Sequence, residues 1–403
     1  MLTFEEARQT VIERVTPNKR PRSIVSVHIC NALGLVLAQK ITADRDYPPF
    51  DRSTRDGYAV RSTDAIAGAK LRCVGEIKAG DTVTAPLAPG TCIQIMTGAA
   101  VPSGANAVVM LEHTKREADL IHFDRAAQLG QNIVPRGSES KAGNPLLQPG
   151  ARLGFAELAL AAQVGAAELR CAAKPRVAVL STGDEVVAVD HTPGPFQIRN
   201  SNSISLAAQV QLAGAEPVPL GNAADSINDL RGKIERGLKE NVLVLSGGVS
   251  MGKYDLVETV LKELGAEFYF DAVAIRPGKP AVFGKCRETF LFGLPGNPVS
   301  TMVTFELFVV PALDLLSGAD PRPLPFLQAK LTEPLQEKPG LTHFLPARLE
   351  WRGLVPGVKP VRWQGSGDIG AVAHANCFMV VPADRDHIPA GETVSVLPRK
   401  DVL

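Results

Sequence analysis

The sequence predicts a multidomain α/β protein: a doubly wound α/β domain, two β-rich modules and an α-helical segment. Three observations carry this. A chain of 403 residues is too long for one ordinary core, so it divides into several domains. Between Lys174 and Gly318 the continuous apolar runs "RVAVL", "NVLVL" and "TFLFG" alternate with helical patterns, the texture of a parallel sheet buried on both faces. On either side of that stretch, short alternating runs broken by glycine and proline mark β modules.

The amino-terminal "MLTFEEARQTVIERV" reads as an amphipathic helix, with Thr3 and Glu6 at capping-box spacing and Leu2, Phe4, Ala7, Val11, Ile12 and Val15 on one face. It lacks the apolar core of a signal peptide. Residues 45–137, with "TCIQIMTG", "NAVVMLEH" and "DLIHF", form an inserted β-rich module. "GFAELALAAQVGAAELR" is expected as one helix ending near Cys171, so residues 1–44 and 138–173 make up a helical linker around that module. The α/β domain covers 174–318, with helices over "SISLAAQVQLAGA", "SINDLRGKIERGLKE" and "LVETVLKELGA". A last helix runs from Val299 towards Leu316, kinked near Pro311. Residues 319–403 return to β texture in "VKPVRW", "CFMVV" and "TVSVL", a C-terminal β domain.

A formal net charge of +1 counts against a nucleic-acid binder that works by bulk electrostatics, while leaving room for a local anion site. The six cysteines are far apart without a CxxC, and the seven histidines form no ligand pair, which argues against zinc and for reduced thiols. No apolar run approaches membrane-spanning length, so a cytoplasmic protein with no membrane contact is expected.

Ligands of a doubly wound sheet bind beyond the carboxyl ends of its strands, where the strand order reverses. Three loops belong there. "VLSTGDEVV" (179–187) carries Asp184 and Glu185, and "LSGGVSMGKYDLVE" (245–258) carries Gly247, Gly248, Ser250 and Asp255. In "GLPGNPVS" (293–300), Pro295 stiffens the entry and Gly296 permits close backbone approach. Asn297 is a favoured N-cap and Pro298 suits the first helical position, giving a rigid helix N-terminus where an anion can sit. Plainer alternatives stay open: Asp255 with Glu258 has capping-box spacing, Asp225 before "SINDL" sits as an N-cap would, and Asp184-Glu185 suits a solvated turn. "AIRPGKPAVFG" (274–284) adds Arg276 and Lys279, an exposed basic turn alone or, beside the carboxylates, an oxyanion clamp. Carboxylates and cations in one cleft point to a magnesium-bridged phosphate substrate. The absence of GxxxxGK[ST] and GxGxxG excludes a P-loop kinase and a standard dinucleotide enzyme.

The set "YPPFDRSTRDGYAV" (47–60), "QIMTGAAVP" (94–102), "STGDEVV" (181–187), "SGGVSMGKYD" (246–255), "IRPGKP" (275–280), "GLPGNPVS" (293–300) and "GSGDIGAVAHAN" (365–376) spans nearly the whole chain. Taken together it resembles the molybdopterin molybdenumtransferase family, which includes the E domain of gephyrin. The resemblance implies an enzyme that inserts molybdenum from molybdate into adenylyl-molybdopterin, giving molybdenum cofactor and AMP with Mg2+ as cofactor. It makes 174–318 the molybdopterin-binding domain and the helical segment a dimerisation element, in a homodimer whose site is shared across chains. Molybdopterin adenylyltransferase and molybdoenzyme-maturation proteins are the implied partners. Catalytic roles fall to Asp56, Thr97, Glu185 and Asp255, with Glu185 and Asp255 as metal ligands. Substrate-binding roles fall to Asp184, Asp225, Gly247, Gly248, Ser250, Arg276, Lys279, Pro295, Gly296, Asn297, Pro298 and Ser366. The sequence departs from the family at Arg55 (usually methionine), Arg276 (usually lysine), Leu341 and Pro346 (typically arginines) and Asp271 (often lysine). A non-catalytic scaffold on the same fold and the related adenylyltransferase are the alternatives; the latter resembles the α/β domain alone.

Overall fold

A computed structural model describes residues 1–82, 85–248, 256–351 and 353–403. The chain forms two compact units, one of Met1–Ala38, Pro149–Gly154 and Leu169–Leu403, the other of Gln39–Gln148 and Phe155–Glu168.

In the larger unit a six-stranded sheet has the order Glu216–Ala223, Arg176–Thr182, Val242–Ser246, Thr289–Leu294, Val282–Cys286, Glu267–Phe270. The first four strands are parallel and the last two antiparallel to their neighbours. Val177 and Val179 enter one core, Ala178 and Leu180 the other, which is why the strand reads as an unbroken apolar run. The first core takes in residues of helices Ser201–Leu212 and Pro298–Leu316, the second those of Ile227–Gly237 and Leu256–Glu263. The sheet is doubly wound, as its pattern predicts.

The amino-terminal helix, Phe4–Val15, buries Phe4, Ala7, Val11 and Val15 in the first of these cores, where the sequence reading joined it to 138–173. Its capping box forms as expected: the Thr3 hydroxyl accepts from the Glu6 N–H, and the Glu6 carboxylate accepts from the Thr3 N–H.

The helix Pro298–Leu316 contains a π turn at Phe305–Val309, just ahead of Pro311. Proline has no N–H, so the Leu307 carbonyl loses its donor four residues on. Arg8 supplies one instead, its guanidinium donating to Leu307 O at 2.8 Å. This helix is long and apolar enough to cross a membrane, but 89% of its most apolar stretch is buried inside the protein. It is a core helix, and it corrects the expectation that no apolar run reaches such a length.

The Ala-rich stretch is a second correction. Its helix ends at Gln163, and Glu168–Ala172 is a strand. Gly165 adopts φ +76°, and its N–H and that of Ala166 return to Ala162 and Ala161, closing the helix at a glycine C-cap.

The C-terminal module is a six-stranded sheet ordered Ile275–Arg276, Thr342–Trp351, Pro356–Pro360, Leu327–Leu331, Thr393–Pro398, Cys377–Val381. A further pairing of Thr342–Trp351 with Cys377–Val381 closes it into a barrel around Leu331, Leu345, Leu349, Val358, Met379 and Val396. Ile275–Arg276 thus comes from the α/β stretch of the chain and adds to the barrel wall.

The smaller unit carries its own six-stranded sheet, ordered Ala107–Met110, Gly57–Val60, Thr91–Ile95, Lys70–Ile77, Leu120–Phe123, Thr114–Glu117. Tyr58, Val60, Val109, Ile121 and Phe123 pack one core of that sheet and Ala59, Ile77, Ile95 and Val108 another.

Candidate functional site

The parallel strands run outward in both directions from Arg176–Thr182 and Val242–Ser246, so the strand order reverses between these two. At their carboxyl ends lies a cleft of about 870 Å³. Such a crevice is where ligands of an open α/β sheet bind.

Glu185, Asp225, Gly247, Gly248 and Pro295 to Pro298 all line this cleft. Asn222, at the end of the neighbouring strand, shapes the first loop: its amide donates to Gly183 O at 2.8 Å and Val186 O at 3.1 Å. Asp184 accepts a hydrogen bond from the Asp225 N–H at 3.0 Å, joining the two acidic positions. The N-cap of helix Ile227–Gly237 is Ser226, whose hydroxyl accepts from the Asp229 N–H, so the capping reading of Asp225 does not hold.

Gly247 and Gly248 have φ of +89° and +59°. A Cβ on Gly248 would stand 2.7 Å from the Thr182 hydroxyl, and one on Gly247 3.0 Å from the Thr182 carbonyl. Both conformation and space therefore demand glycine. Among the described residues the buried hydroxyl of Thr182 has no hydrogen-bond partner, nor has Asn202 Oδ1; both residues line the cleft. Unpaired buried polar atoms at a cleft are unmet demand for a polar ligand or water.

The proline loop is held from several directions. The Thr301 hydroxyl donates to Pro295 O at 2.5 Å, and Asn202 Nδ2 donates to Gly296 O at 2.7 Å and to the Ser246 hydroxyl at 2.8 Å. Asn297 is the N-cap residue with Pro298 in the first turn, but its side chain does not cap. Its amide donates to the Ser366 hydroxyl at 2.8 Å, while the Val299 N–H donates to Ser366 O at 3.0 Å. Ser366 is thereby fixed at this helix N-terminus.

Arg276 and Lys279 are exposed and do not line the cleft, although Pro280 beside them does. Arg276 instead has its guanidinium 3.6 Å from the Glu337 carboxylate. Ser250 and Asp255 lie outside the described residues.

Sequence reasoning missed Arg199, Asn200 and Asn202, which also line the cleft. Asn200 caps helix Ser201–Leu212, its Oδ1 accepting from the Ser203 N–H and the Ser181 hydroxyl, each at 3.0 Å. An asparagine with N-cap character just ahead of "SNSISLAAQVQL" is the signal that marks a further helix N-terminus at the same sheet edge.

In the smaller unit Asp56 and Thr97 are brought together. Asp56 Oδ1 accepts from the Thr97 N–H at 2.6 Å and the Thr97 hydroxyl at 2.8 Å. These bonds, the backbone one first, hold the Asp56 carboxyl below its ordinary value.

Comparison with known proteins matches residues 2–165 to the "MoeA N-terminal region (domain I and II)", 178–315 to a "Probable molybdopterin binding domain" and 328–398 to the "MoeA C-terminal region (domain IV)". The chain is similar to the molybdopterin molybdenumtransferase of Haemophilus influenzae, 33% identical with all of both chains covered. It is 34% identical to that of Bacillus subtilis, over 91% of this chain and 88% of the relative. A solved molybdopterin biosynthesis MoeA protein from Pyrococcus horikoshii superposes with a TM-score of 0.75 at 32% identity, covering 99% of each chain. Another from strain OT3 gives a TM-score of 0.81 at 27% identity, over 99% of this chain and all of that one.

Proposed function

The chain belongs to the molybdopterin molybdenumtransferase family, and from that premise we propose that it transfers molybdenum from molybdate to adenylyl-molybdopterin, releasing AMP in a Mg2+-dependent reaction. The observation that carries the reading is the cleft at the strand-order reversal, lined by carboxylates, by polar atoms unpaired among the described residues and by a proline-stiffened helix N-terminus.

Among the described residues no group of three or more His, Cys, Asp or Glu side chains forms a ready metal cage. Magnesium needs none: it takes one or two carboxylates and completes its shell with water and substrate phosphate. Glu185 and Asp225 offer hard oxygen donors on the cleft wall, which suits that mode. Glu185, with Asp255 from the family pattern, would hold the ion. When bound it neutralises charge on the phosphoanhydride.

The chain's own groups do the rest. The Thr182 hydroxyl and Asn202 Oδ1 receive polar atoms of the substrate, and the loop from Pro295 to Pro298 with Ser366 presents donors to an anion. From outside the cleft lining, beside Pro280, which does line it, Arg276 and Lys279 supply cations to the oxyanion, and Asp184 and Asp225 shape the acidic side. Molybdate must lose an oxo group as water, which takes two protons: a carboxyl delivers one, and a substrate thiol gives up the other as its sulfur bonds to molybdenum. Asp56 and Thr97 act from the smaller unit in a homodimer whose sites draw on both chains. An adenylyltransferase supplies the substrate, and maturation proteins accept the product.

The test is AMP release from adenylyl-molybdopterin with and without molybdate and Mg2+. Glu185→Gln keeps size and removes charge, so we expect at least a tenfold loss of rate and a raised Mg2+ requirement. Unchanged rate and Mg2+ dependence would return Glu185 to a solvated turn. Tight molybdopterin binding with no AMP release in the parent protein would favour the scaffold instead.

A further inference from the structure

At the seam between the α/β stretch and the barrel, Ile275–Arg276 pairs in parallel with Thr342–Trp351, and Arg276 stands in register with His343. The His343 side chain is only 2% exposed, with Nδ1 3.0 Å from Glu337 Oε2. That contact is too poorly aligned to count as a hydrogen bond, and burial pushes the His343 imidazole towards its neutral form, so it is one of close packing. The same carboxylate oxygen lies 3.6 Å from the Arg276 guanidinium. Glu337 reaches it from a fixed backbone, because its N–H donates to Asp386 O at 2.8 Å.

We infer that Glu337, braced by His343, is the resident counter-ion of Arg276 and sets how strongly that cation draws an oxyanion; the inference rests on the reading of Arg276 as an oxyanion ligand. Exposure decides the direction of the effect. The Glu337 side chain is 19% exposed, so water screens its charge poorly, whereas Arg276 is 50% exposed and open to an arriving anion. At 3.6 Å the carboxylate lowers the positive potential at Arg276 without an aligned hydrogen bond that would occupy its donors. An oxyanion and Glu337 therefore compete for one charge. Removing the resident charge strengthens binding of the visitor.

The experiment is equilibrium dialysis of the full chain with molybdate. Glu337→Gln should lower Kd about two- to fivefold, the range of a partly exposed charge pair. Glu337→Asp, which keeps the charge but withdraws it by one methylene, should fall between and serves if the glutamine variant folds poorly. In an Arg276→Ala background the gain should vanish. Unchanged or weaker binding in both Glu337 variants, or the same gain without Arg276, would overturn the inference. Unchanged molybdate binding in Arg276→Ala alone would instead remove the oxyanion reading of Arg276, and the inference with it.

Discussion

The Asp56 carboxylate takes two hydrogen bonds from a single residue, one from the Thr97 backbone and one from its hydroxyl. Both favour the ionised form, so the folded carboxyl titrates below its unfolded counterpart. The sign follows. The tie is fully present above the unfolded value and is lost as pH falls through the lower, folded one. Thr97→Val removes the hydroxyl and keeps the N–H, and the backbone bond is the larger cause. A carboxyl-carbon NMR titration should therefore show the Asp56 midpoint rising in that variant while staying below an ordinary aspartate. An unmoved midpoint would show that the hydroxyl contributes nothing. At this scale sequence and structure meet unevenly. The spacing of Asp225 ahead of a helix favours a cap over a ligand, and the Ser226 hydroxyl, by taking the cap, removes that reading. Asn297 is the converse: local rules place it at the cap, but its amide turns to Ser366, 69 residues away in sequence.

Helices and loops show why some of this was legible. The run from Pro295 to Pro298 is governed by restrictions local to proline and glycine, so its shape follows from four letters. The ending of the Ala-rich helix was missed because alanine pattern outvoted one glycine, Gly165, in the left-handed region. The π turn ahead of Pro311 depends on a residue no local window contains, since Arg8 is 299 positions from the carbonyl it serves. That dependence can be measured. Arg8→Ala should take this donor from the buried Leu307 carbonyl and cost about 1–3 kcal/mol of unfolding free energy. Pro311→Ala restores an N–H four residues on, so the cost of losing Arg8 should shrink in that background. Denaturant unfolding of the four proteins tests this as a double-mutant cycle. Equal costs in both backgrounds would mean that Arg8 stabilises through its other bond, to Arg322 O at 2.6 Å.

At the level of the molecule, the alternation of apolar runs and helices was enough to place a cleft at the carboxyl ends of four strands, because a buried parallel sheet has few ways to connect. The asparagines that lock its loops together were not legible, since each bridges segments far apart in sequence. The proposed groups divide between the two units: Asp56 and Thr97 belong to the smaller, Glu185 and the proline loop to the larger. If sites draw on both chains of a two-fold dimer, lesions in the two units complement each other. Asp56→Ala and Glu185→Ala homodimers should each be inactive in AMP release. In the mixed dimer one site carries both lesions and the other carries none. Random exchange makes about half of the dimers mixed, so roughly a quarter of parental activity should return. The mixture discriminates because sites built within one chain gain nothing from it: every site would still hold one lesion, whatever the oligomeric state. Mass spectrometry of differently tagged chains establishes that subunits have exchanged. Proven exchange with no recovered activity would leave each chain to build its site alone.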